Sequence, residues 1–163
     1  MAQSVNDFGL FRGATVTDAG QLQQIMVSTP TRRSFVAGYE GTSEGLDRCT
    51  WNGANKCHEL CWHRISYLGI SALDQPAFDI AHYFHQAAAF IDSCGSNGNV
   101  LVHCLRGRSR SAAVVLAYLM MRRHIPAPMA MKLCCSVRAF HINIGFLEQL
   151  AELHNSLCRA ANN

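Results

Sequence analysis

At 163 residues, with 49% hydrophobic and only 15% charged residues, the chain is sized for one domain around a buried core, which excludes a disordered or low-complexity protein. A net charge of +3 suits anionic ligands but falls short of the dense basic stripe of a nucleic-acid binder, so no nucleic-acid partner is expected. No secretion signal or lipidation box is read, and the longest apolar run, Ala112 to Met121, is too short to cross a bilayer. Without a secretion signal the eight cysteines are expected as free thiols, in a protein of the cytoplasm or also of the nucleus.

Residues Met1 to Gly13 read as a loose arm, followed by a short helix from Thr17 to Val27 that ends before Pro30. Residues 1–28 are therefore set apart as an arm and helix, and 29–163 as the main domain. From Ser28 to Asn55 the pattern is weak; Ser34 to Tyr39 is a candidate strand. Cys57, His58, Cys61 and His63 hold residue types that ligate zinc, but at a spacing that matches no standard knuckle, so neither metal nor cofactor is expected. Arg64 to Ile70 alternates like a strand and leads into the loop Ser71 to Phe78. Asp79 is placed to cap a helix from Ile80 to Ser93, whose apolar face is Ile80, Tyr83, Phe84, Ala87, Ala88 and Ile91. Gly95 to Asn99 turns the chain into a strand at Val100 to Val102. After it come a helix from Ala112 to Met121 and a break at His124 to Pro128. A further helix is expected to present Ala130, Leu133, Cys134 and Val137. The last helix, Gly145 to Leu157, should bury Phe146, Leu150, Leu153 and Leu157.

Between the Val100 strand and the Ala112 helix lies His103-Cys104-Leu105-Arg106-Gly107-Arg108-Ser109-Arg110-Ser111, a Cys-x5-Arg run with a glycine in its bend. A tight loop joining a strand to a helix N-terminus turns backbone N–H groups inward, and the helix dipole adds to them, so the loop is built to hold an anion. The same field favours a thiolate at Cys104. Arg110 offers a planar fork able to grip two phosphate oxygens at once. An inert, buried Cys104 is the plain alternative. The whole run, flanked by strand and helix, favours a nucleophile in a phosphate cradle.

The run His-Cys-Leu-Arg-Gly-Arg-Ser-Arg-Ser, followed by Ala-Ala-Val-Val-Leu-Ala-Tyr-Leu-Met, resembles the signature of the dual-specificity protein phosphatases, and most closely their small atypical members, in the cysteine-based protein tyrosine phosphatase superfamily. The resemblance runs from about Ile65 to Leu157. It implies an α/β fold with a central mixed or parallel sheet flanked by helices, the front strands of that sheet having no clear counterpart here. It implies Cys104 as nucleophile, Arg110 with the loop Leu105, Arg106, Gly107, Arg108 and Ser109 as phosphate-binding group, and Ser111 as the hydroxyl that steadies the departing thiolate. Asp74 matches the position of the general acid, with Asp79 as its rival, and activity is then expected to peak at mildly acidic pH. His103 and Asn143 are implied as supporting residues, although the family's Pro-Asn-x-Gly-Phe reads Ile142-Asn143-Ile144-Gly145-Phe146 in this chain.

The implied activity is hydrolysis of phosphotyrosine and phosphoserine/threonine in protein substrates through a cysteinyl-phosphate intermediate. Two alternatives stay open. One is a weak or inactive phosphate-binding scaffold, which an incomplete sheet would favour; an uncovered sheet edge would also allow self-association. The other is the same chemistry on phosphoinositides or RNA 5′-phosphates, suggested by Arg106 and Arg108.

Overall fold

The computed structural model describes residues 10–29, 49–52, 66–95 and 99–163. Three short strands form a parallel sheet in the order β2-β1-β3, with β1 (Cys49–Asn52) between β2 (Ser66–Gly69) and β3 (Val100–His103). Thr50 faces Tyr67 on one side and Leu101 on the other, so the strands run in step toward Asn52, Gly69 and His103. In open parallel sheets, ligands gather beyond the carboxyl ends of the strands. Here those ends carry the loop after Gly69 and the loop after His103.

Helix α3 (Arg110–Arg123) lies at the centre of the helical layer. Ala113, Val114, Leu116, Ala117 and Met120 are buried, and α2 (Phe84–Asp92), α4 (Ala127–Val137) and α5 (Ile144–Asn162) pack around it. Alanines of α2 and α3 (Ala87, Ala113, Ala117) and the larger Phe84, Phe146 and Leu150 are buried in one apolar cluster. Asp79 does serve as a cap, its Oδ1 accepting from the His82 N–H at 3.1 Å, although the helix opens with one 3-10 turn, Ala81–Tyr83. Arg122 and Asp92 pair at 2.9 Å across α2 and α3, both largely exposed.

Helix α1 (Ala19–Ser28) forms where the sequence places it. Its start carries a reciprocal cap: Asp18 Oδ1 accepts from the Gln21 N–H at 2.8 Å, and Gln21 Oε1 accepts from the Asp18 N–H at 3.3 Å. Leu22 and Met26 dock it on α4 and α5, each such burial contributing about 1.5–3 kcal/mol. The stretch before it corrects one expectation. Phe11 is fully buried in the core, and Asn155 on α5 bonds both the N–H and the carbonyl of Thr17, at 3.0 and 2.9 Å. Residues 10–18 are thus anchored rather than loose.

Four further corrections follow. Strand β1 falls within a stretch in which sequence patterning marked only Ser34 to Tyr39, and that candidate lies outside the described residues, as does the Cys57–His63 cluster. On α4 the buried face is Ala127, Ala130, Met131 and Cys135, whereas Leu133 and Val137 are more than half exposed. Apolar residues surround this helix on all sides, so their period selected no face. On α5 the deepest residues are Phe146, Leu147, Leu150, Ala151, His154 and Cys158, with Leu153 and Leu157 at the margin. Cys94 is disulfide-bonded, contrary to an all-thiol chain, while Cys104, Cys134, Cys135 and Cys158 are free. Among the described residues no helix is long and apolar enough to cross a membrane, and no cluster of three or more His, Cys, Asp or Glu side chains could hold a metal ion.

Candidate active site

The loop between β3 and α3 closes tightly on itself. The Gly107 N–H donates to the Cys104 carbonyl at 3.3 Å, and the Ala113 N–H reaches the Ser109 carbonyl at 2.9 Å as α3 begins. Gly107 adopts φ +60, a left-handed conformation that glycine takes without steric cost. A Cβ there would also press within 2.9 Å of the Arg138 guanidinium. That guanidinium ends an exposed, flexible side chain that can move aside, so the bend depends on this glycine through its backbone conformation.

Cys104 is buried at the foot of the loop. Burial alone pushes its thiol up. Opposing that, the Ser111 hydroxyl lies 3.4 Å from the sulfur, and the backbone N–H groups of Ser111, Arg108 and Arg106 favour the anion; the net result is a pKa lowered to about 7. At neutral pH roughly half of the sulfur is thiolate, the nucleophilic form. The remaining free cysteines differ. Burial raises Cys134, to about 11, and also Cys135 and Cys158. Among the four free thiols of the described residues, the loop cysteine is the one whose pKa is lowered.

Arg110 begins α3 and reaches back toward the loop after β2. Its Nη1 donates to the Ala72 carbonyl at 3.0 Å, and its Nε lies 3.8 Å from Asp74 Oδ2. The guanidinium is mostly buried, so its orientation is fixed by this loop rather than by solvent. Asp74 is exposed at the rim. Its other oxygen accepts from Asn143 Nδ2 at 2.9 Å.

Asn143 is a junction. Its Oδ1 caps α5 by accepting from the Phe146 N–H at 3.0 Å, and both its backbone N–H and Nδ2 lie 3.4 Å from Ser109 Oγ in the cradle. The preceding Ile142 N–H points at Met26 Sδ, 3.4 Å away, so α1 helps to seat the segment. His103 is half-buried, and burial lowers its pKa, keeping the imidazole neutral at physiological pH. Arg106, Arg108 and Leu105 are exposed around the mouth.

Asp74, Cys104, Arg110, Ser111 and Asn143, separated by up to 69 residues in sequence, are thus drawn to one end of the sheet. Asp79 stays at its helix cap. Sequence reasoning missed the link from Asn143 to Ser109 and the Ala72 carbonyl that aims Arg110. A backbone acceptor leaves no residue-type signal; the Asn-x-Gly-Phe run did mark the first.

A buried thiol at the foot of a loop of backbone donors, with a guanidinium following and a carboxylate at the rim, has the layout that the resemblance to the cysteine-based phosphatases implies. The family model described as the catalytic domain of dual specificity phosphatases matches residues 48–156, and the chain belongs to that family. Over 109 residues it is 43% identical to human dual specificity protein phosphatase 26, an alignment covering 66% of this chain and 51% of that protein. The chain spans about half the length of the curated relatives it matches. Among solved structures, a variant of human DUSP28 superposes with a TM-score of 0.62 at 32% identity, covering 71% of this chain and 80% of the other. Human tyrosine phosphatase-like serine/threonine/tyrosine-interacting protein gives 0.60 at 29% identity, over 69% and 78%.

Proposed function

We propose that the chain hydrolyses phosphotyrosine and phosphoserine/threonine in proteins by way of a cysteinyl-phosphate. The observation that carries this reading is the Cys104 thiol, lowered to about 7 by donors of its own loop while burial opposes it. The sulfur attacks phosphorus, the S–P bond forms and the P–O bond breaks, and Asp74 passes its proton to the departing oxygen. Arg110 and the amides from Leu105 to Arg110 meet the charge on the equatorial phosphate oxygens, which is where fixed donors lower a barrier most. Water then displaces the sulfur, and Ser111 steadies the thiolate as it leaves. We place this activity in the cytosol or nucleus.

Arg106 and Arg108, exposed beside the loop, favour acidic surroundings in the substrate, and the proposed site takes both classes of phosphomonoester. The test is turnover of phosphotyrosine and phosphothreonine peptides by recombinant protein, with Cys104→Ser as control. Activity on both that disappears in the variant supports the reading. Well-folded protein that binds phosphopeptide without turnover would make it a scaffold, and preference for inositol lipids would reassign the substrate.

A further inference from the structure

The loop carrying Asp74 has little internal structure. Between residues 71 and 80 the chain is irregular and mostly exposed, held within itself by short turns such as Phe78 N–H to the Gln75 carbonyl at 3.0 Å. Left to itself, so short and solvated a segment would sample many conformations. It is instead laid against the first two turns of α5. Asn143 holds Asp74, as described. Beyond it, Gly145 meets the Pro76 backbone, and Gln149 spans the loop's far end: its Nε2 donates to the Phe78 carbonyl at 2.9 Å and its Oε1 accepts from the Ala81 N–H at 2.8 Å.

Gly145 is the tightest of these approaches. A Cβ on this residue would stand 2.6 Å from the Pro76 carbonyl carbon and 2.7 Å from its Cα, with the carbonyl oxygen nearer still. All three are backbone atoms, so no side-chain rotation relieves the clash. Glycine is a poor helix former, and its place in the first turn of α5 is explained by this contact. Gly145 and Gln149 are four residues apart and so share one face of the helix. That face is a mould for the loop.

We propose that Gly145 and Gln149 are positioning residues for the Asp74 proton donor: they set the loop's height over the cradle, and with it the ability to expel basic leaving groups. This rests on the phosphatase reading above. Misplacing a reacting group by about 1 Å costs on the order of 10²-fold in rate. The penalty falls where the acid matters. An alkoxide or phenoxide must be protonated as the P–O bond breaks, whereas nitrophenolate leaves with little help. The positioning pair therefore governs which phosphomonoesters are cleaved, while thiolate formation and phosphate binding continue in the other loop.

The test compares Gly145→Ala and Gln149→Ala on phenyl phosphate and 4-nitrophenyl phosphate, with Asp74→Asn as reference. The expected result is a loss of kcat of roughly 10- to 100-fold on phenyl phosphate and under about 3-fold on 4-nitrophenyl phosphate, with the pH midpoint of Cys104 alkylation unmoved. Equal losses on both substrates, or no loss, would overturn the proposal. Gln149→Ala introduces no clash and keeps the question open to measurement should Gly145→Ala fold poorly. Amide hydrogen exchange reads the docking without reference to turnover. Ile80 and Ala81 should exchange at least about tenfold faster in the variants while α3 keeps its protection, and unchanged exchange would sink the inference. Wild-type protein without turnover would instead overturn the phosphatase reading, and the exchange result would still decide whether the pair holds the loop.

Discussion

Ser111 Oγ stands 3.4 Å from Cys104 Sγ, bridging the two ends of the phosphate cradle. In the proposed reaction the hydroxyl favours the thiolate twice, once before attack and once when water expels the sulfur. Replacing it by Ala leaves burial less opposed, so the thiol rises above about 7. The expected shift is on the order of one pK unit, equivalent to about 1.4 kcal/mol of lost interaction. Alkylation by iodoacetamide across pH should show the midpoint moving alkaline, and acid quenching during turnover should trap more phosphoenzyme. An unmoved midpoint would remove Ser111 from the mechanism.

The sign of the Cys104 shift fixes two pH dependences. Its folded pKa of about 7 lies below that of an unfolded thiol, about 8.5. Between these values the unfolded chain holds a proton that the folded chain has released, so stability rises with pH through that window and is complete above it. It is lost as pH falls through about 7. Up to on the order of 2 kcal/mol is involved, and Cys104→Ser should flatten the dependence in urea melts at pH 6, 7 and 8.5. The nucleophile likewise falls roughly tenfold per pH unit below about 7. The acidic limb of kcat/KM should therefore lie near neutrality, closer to it than the mildly acidic optimum expected from the acid loop alone.

Asn143 performs two tasks that substitution can separate. As a cap it needs an acceptor for the Phe146 N–H; as a support it needs the Nδ2 donor that reaches Asp74 and Ser109. Asn143→Asp keeps the acceptor and adds negative charge at a helix N-terminus, where the dipole welcomes it. It also sets a carboxylate against Asp74. Turnover should fall at least about tenfold with stability nearly unchanged, whereas Asn143→Ala should lose activity and about 1 kcal/mol together. Parallel chemical melts and steady-state rates on both variants provide the comparison.

The make-up of the candidate site was more legible than the scaffold that carries it. Cys104, Arg110 and Ser111 lie within eight consecutive residues, so their convergence follows from one loop between a strand and a helix. Asp74 could be placed because a strand ends just before it and a helix cap follows. Strand β1 could not: four residues, Cys49 to Asn52, carry no alternation long enough to read, and pairing with two neighbours decides their conformation. The face of α4 failed for the opposite reason, an excess of apolar residues. Phe11 was missed because the run Phe8-Gly9-Leu10-Phe11 is too brief to show a period, and its burial is set by α5 more than a hundred residues away.

That distant contact yields the last prediction. His154 on α5 is fully buried, with its ring centroid 5.5 Å from that of Phe11. Nδ1 accepts from the Ala127 N–H at 3.3 Å at the start of α4, and Nε2 donates to the Thr15 carbonyl at 3.0 Å. One ring thereby ties α4, α5 and the N-terminal segment together, with Nδ1 as the acceptor and Nε2 as the donor. His154→Ala leaves a buried donor and a buried acceptor without their partner and opens a cavity beside Phe11. The expected cost is about 2–4 kcal/mol. Urea midpoints should record that loss, while the rate per folded molecule on 4-nitrophenyl phosphate stays within about twofold of wild type, since the ring touches none of Asp74, Cys104 or Arg110. A loss under about 0.5 kcal/mol would mean that residues 10–18 are held by Asn155, by Phe11 and by α1 rather than by this ring.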